Sequence, residues 1–79
     1  SSEDKNKILE AIEKGRKAYY VEVFFEKDVK MKWIRAELIF RNVENKGEIV
    51  SSEPPYENIE KAKFENLRMV VISDEGKDT

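Results

Sequence analysis

Seventy-nine residues, 39% apolar and 41% charged, suffice for one small domain, which buries only about 60% of its unfolded surface. Neither cysteine nor histidine is present, which excludes disulfides, thiolate metal sites, the usual proton shuttle and any phospho-accepting histidine. The net charge of −2 is uneven: residues 1–46 carry eleven basic and nine acidic side chains, residues 47–79 four and eight.

That acidic C-terminal third disfavours nucleic acid, whose binders present a basic face, and suits a basic protein partner. No apolar run exceeds four residues, so no membrane span is expected. No signal-peptide pattern opens the chain, and a cytoplasmic location is the expectation.

Residues 1–14 read as a helix with a serine cap, Glu3 and Asp4 in its first turn, and Gly15 as its stop. Its narrow stripe is Ile8, Leu9, Ala11 and Ile12. A helix this short is marginal alone, so Ile8, Leu9 and Ile12 are expected to dock, the central helix being one candidate. Residues 18–26 alternate as a strand. Tyr19, Val21, Val23 and Phe25 read as its core face, and Tyr20, Glu22, Phe24 and Glu26 as the other. Tyr20 and Phe24 are expected to pack beneath a neighbouring segment. Stacking on bases and protein contact are the alternatives, and Glu22 and Glu26 oppose the former.

The centre of the chain is a helix with Asp28 as N-cap and Gly47 as a left-handed stop. At roughly 100° per residue, Val29, Trp33, Ala36, Phe40 and Val43 share one side, with Ile39 at its margin. Met31, Ile34 and Leu38 form a second side, nearly opposite. One stripe suffices to seat a helix on a core, so two stripes imply two contacts. A strand follows over 48–53, stopped by Pro54 and Pro55. The next segment is a loop with one helical turn, anchored by Ile59 and Phe64. Residues 66–73 form a third strand, with Leu67, Met69 and Val71 facing one way and Val70 and Ile72 the other. A strand apolar on both faces is usually central. Residues 74–79 are polar and expected to fray.

Strand, helix, strand, loop, strand opens a split β-α-β unit. A right-handed crossover sets the first two strands parallel, with the third between them and antiparallel to both. The expectation is a ferredoxin-like α+β open-faced sandwich, strand order 1-3-2, with helices on one face. The expected division is 1–16 as N-terminal helix or linker, 17–73 as the domain and 74–79 as a tail.

Signs of catalysis are lacking. Gly15, Gly47 and Gly76 are isolated punctuation, not a phosphate loop. Without histidine or cysteine no conventional triad forms. Asp4, Asp28, Asp74 and Asp78 are dispersed, so no metal or cofactor is expected. Binding remains.

Tyr19-x-Val-x-Val, Met31-Lys32, Arg35-Ala36, Leu38-Ile39-Phe40, Gly47-Glu48-Ile49-Val50 and Ser52-Glu53-Pro54-Pro55, followed by Glu57, Ile59, Phe64-Glu65 and the Val-Val-Ile-Ser strand, occur in that order. Over residues 17–73 the chain resembles the response-regulator-binding domain of the chemotaxis histidine kinase CheA. The resemblance implies a non-catalytic docking module of a two-component phosphorelay. Its partner would be CheY, in some systems also CheB. Members of that family continue with a further helix and a fourth strand beside the first. Here either the chain is a truncated piece, or Ile8, Leu9 and Ile12 take the missing helix's place. Unless something pairs with it, strand 19–25 is an open edge that invites self-association.

For the docking surface, side-chain chemistry nominates Glu37, Glu57, Glu60 and Glu65 around Trp33 or Tyr56. Trp33 also fits the core. The competing readings are a ferredoxin-like small-ligand domain and an RNA-binding module with Tyr20 and Phe24 bared.

Overall fold

The computed structural model describes residues 2–73. Their order is α1 (Ser2–Glu13), β1 (Lys17–Phe24), α2 (Lys32–Glu44), β2 (Glu48–Glu53), a 3-10 turn (Tyr56–Asn58) and β3 (Asn66–Ser73). The expected tail lies outside the described residues.

β3 runs antiparallel between β1 and β2, giving the order β1-β3-β2. Its register sets Val71 opposite Tyr19, Met69 opposite Val21 and Leu67 opposite Val23. Onto this face α2 lays Ala36 and Phe40, and Ile59 closes the layer. Val21, Val23, Phe25, Ile39, Val43, Ile49 and Phe64 pack around them. This is an α+β open-faced sandwich.

Ile72 is also buried, and its parity along β3 turns it away from α2. At that end α1 lies against β1 and β2. Lys7 reaches Glu48, the register partner of Ile72, at 2.8 Å. That second face is covered only at this end: Val70 is half-buried, and Tyr20 and Phe24 stand exposed.

Several expectations are corrected at the joints. Asp28 does not cap α2. The amide of Val29 donates to the Glu26 carbonyl at 3.1 Å, so residues 26–29 close a separate turn. The helix begins only at Lys32, behind Met31 in the left-handed region at φ 54°, with no side-chain cap. Nor is Gly47 left-handed. It is required because a Cβ there would collide with the Ile72 carbonyl oxygen where the chain passes from α2 into β2 alongside β3. The same junction is tied by Ser73 Oγ, which donates to the Lys46 carbonyl at 3.0 Å. Gly15 does take the left-handed conformation, φ 84°. Its amide donates to Ile12 and that of Arg16 to Ala11, closing α1 with a Schellman motif.

The expected docking of α1 holds only in part. Ile8 is half-buried beside buried Ala11, whereas Leu9 and Ile12 are exposed. Because α1 packs on the sheet, it leaves the second stripe of α2 uncovered, with Met31 and Leu38 exposed. On β1, Tyr19 is exposed at the margin of the core face, and Tyr20 and Phe24 are bared, not packed beneath a neighbour.

Candidate docking surface

Pro54 and Pro55 end β2, and the chain turns back across the C-terminal half of α2. Ser52 Oγ donates to the Pro54 carbonyl at 2.9 Å, and Pro54 itself is buried. The 3-10 turn that follows delivers Tyr56 onto Phe40, ring centroids 5.0 Å apart and planes at 76°. Such an edge-to-face arrangement suits the ring quadrupoles. Phe40 is locked in the core, so the position of Tyr56 is inherited from it.

On α2, Glu37, Arg41 and Glu44 follow at i, i+4 and i+7 and share a flank. The Tyr56 hydroxyl donates to Glu37 Oε2 at 3.3 Å, and Arg41 Nη2 approaches the same oxygen at 3.4 Å. The Glu37 carboxylate, partial desolvation and the hydrogen bond together raise the Tyr56 phenol above its ordinary value. Phe40, Glu44, Ile49, Pro55, Tyr56 and Glu57 line an open groove of about 390 Å³. An aromatic floor is thus rimmed by carboxylates, the complement of a partner bearing basic side chains.

Trp33 stands in a second groove with Met31, Lys32, Glu60, Lys63 and Phe64. It is half-buried. Lys32 Nζ donates to the Phe64 carbonyl at 2.7 Å and lies 5.6 Å from the ring centroid, clamping the loop to the start of α2. Of the nominated residues, the structure joins Glu37, Tyr56 and Glu57 in one cluster and Trp33 with Glu60 in another. Glu65 is exposed and lines neither groove.

Glu44 was not nominated, although its i+7 spacing from Glu37 on the same flank signals it. The exposure of Tyr20 and Phe24 meets the geometric condition for base stacking. Between them, however, stands Glu22, held by Asn66 Nδ2 at 2.6 Å and Arg68 Nε at 3.3 Å. A carboxylate fixed between the two rings disfavours a polyanion there. Among the described residues no cluster of three or more acidic, histidine or cysteine side chains is placed to hold a metal ion. No helix among them is long and apolar enough to cross a membrane.

A three-stranded α+β sandwich with an aromatic groove flanked by carboxylates offers a surface suited to a basic protein partner. The sequence matches the P2 response regulator binding domain over residues 18–79, and the chain belongs to that family. α1 precedes the matched range. No solved structure matches the chain.

Proposed function

We propose that this domain is the handhold through which a chemotaxis histidine kinase of the CheA type captures CheY, and in some systems CheB. A phosphoryl group on a separate histidine-bearing domain then meets its acceptor aspartate at a local concentration set by the linker, about millimolar for short flexible ones. The reading rests on family membership across residues 18–79. It agrees with a chain that has no histidine of its own and so serves by holding the regulator.

Tyr56 is the apolar centre of the surface, with Glu37 and Glu57 at its rim and Glu44 added from the groove. Trp33, at the start of α2, and Glu60, in the facing loop, extend it through the second groove. The rim acts chiefly on encounter, since exposed charges change association rate and salt dependence more than affinity.

Glu57→Lys combined with Glu60→Lys tests this rim. Association with CheY is expected to slow at low salt, with the deficit shrinking as salt is added. An unchanged rate at low salt removes the acidic rim from the site.

A further inference from the structure

Arg41 stands between two of the carboxylates that flank Tyr56. Glu37 lies four residues before it on α2 and Glu44 three residues after, so one helical turn separates the guanidinium from each. Among the described residues Arg41 is paired with Glu37, Nη2 to Oε2 at 3.4 Å, and not with Glu44. The Tyr56 hydroxyl donates to that same oxygen at 3.3 Å. Both contacts are long, and the Arg41 side chain is 68% exposed, so the pair is loosely held. Arg41 and Glu44 act on the Tyr56 phenol in opposite directions. The cation and the second carboxylate therefore lie within electrostatic range of one ring.

We propose, on the reading that the groove at Tyr56 docks the regulator, that Arg41 is an internal competitor for that partner. Its guanidinium occupies the place on Glu37 that a lysine or arginine of the partner takes in the complex, and docking exchanges one cation for the other. A basic side chain approaching Tyr56 meets three carboxylates, Glu37, Glu44 and Glu57, with this one cation among them. Arg41 does two things to the incoming charge. It offsets the attraction of Glu37, and it helps hold that carboxylate in place. The first outweighs the second, because a unit charge at this distance cancels much of the field of the carboxylate, whereas two long, exposed bonds order a side chain little. The displaced guanidinium keeps a partner, since Glu44 lies one turn away on the same flank. The exchange also discriminates. A partner that brings only a cation replaces one weak pair by another and gains nothing. One that lays an apolar side chain on Tyr56 at the same time gains burial as well. Arg41 thus determines specificity by opposing proteins that are merely basic.

The test is the affinity of the full chain for CheY at low salt, with amide spectra confirming that each variant is folded. Arg41→Gln is expected to bind about two- to fivefold more tightly than the wild type, the range of one exposed ion pair. Arg41→Lys keeps the charge and should stay close to the wild type. Arg35→Gln removes the same charge from an exposed position on another flank of α2 and should gain less. Beside Glu37→Gln the gain from Arg41→Gln should shrink, because its competitor's target is gone. Binding left unchanged or weakened by Arg41→Gln overturns the proposal. So does a gain matched by Arg35→Gln, or one undiminished beside Glu37→Gln, since either is an effect of net charge alone. Glu37→Gln by itself reports on the docking surface and should weaken binding. No change there removes the surface and the proposal with it, whereas weakening there without the Arg41 gain removes the proposal alone.

Discussion

The Tyr56 hydroxyl meets the Glu37 carboxylate at 3.3 Å across 19 residues of chain. One weak hydrogen bond thereby records how the loop after Pro55 is returned to α2. The phenol should ionise above its ordinary value of 10.0 because Glu37 is beside it. Its proton is held more tightly in the folded chain, so the contribution is intact below the ordinary value. It is lost as pH rises through the raised folded value. Ultraviolet or NMR titration of Tyr56 should show this shift, and Glu37→Gln should bring it back down.

A second pH dependence lies at the other end of the molecule. Glu48 accepts from Lys7 at 2.8 Å and stands 3.8 Å from Arg16. The hydrogen bond from Lys7 comes first among the causes that lower its carboxyl below the ordinary 4.5. The stabilising effect is present above that ordinary value and is lost as pH falls through the lowered one. The protection factors of the α1 amides should therefore fall in acid before those of β3 do. Glu48→Gln should weaken the protection of α1 already at neutral pH and abolish the acid step.

The two structured glycines separate strain from collision. Gly47→Ala sets a methyl group against the Ile72 backbone and should cost about 1–3 kcal/mol, as overpacking does. Gly15→Ala meets nothing within 4 Å but must hold φ at 84°, a penalty of about 1 kcal/mol. Denaturant midpoints of the two variants should rank in that order. The reverse order would contradict the close approach of the α2–β2 junction to β3.

Phe40 joins the core to the surface, being almost fully buried and in edge contact with Tyr56. Phe40→Ala should cost about 3–5 kcal/mol and also broaden the Tyr56 ring resonances. Tyr56→Phe should leave the denaturation midpoint nearly unchanged, because its hydroxyl bond is solvent-exposed.

The strands and their order were legible because period-2 alternation and the crossover rule are local and strong signals. β3 spans the expected residues, and the blurred alternation of Val70 and Ile72 correctly marked it as central. The joints were less legible. Asp28 has the chemistry of a cap, but capping depends on where the chain turns, and the turn at residues 26–29 intervenes. Gly47 is demanded by a neighbour that lies remote in sequence. For the surface, Glu37, Tyr56 and Glu57 came together because the proline pair returns the loop to α2. Glu65 did not, since nothing in its residue type reports which way the start of β3 faces. Tyr20, Phe24 and Leu38 stand bare where packing or docking is expected, because sequence periodicity marks an apolar face without showing what covers it.

The central claim, that this domain holds a response regulator through the groove between α2 and the loop after Pro55, is tested most directly by titrating the labelled chain with CheY and following its amide shifts. Saturating shifts centred on Glu37, Glu44, Tyr56 and Glu57 are predicted. A spectrum unchanged at excess CheY, or shifts confined to α1, would contradict the claim.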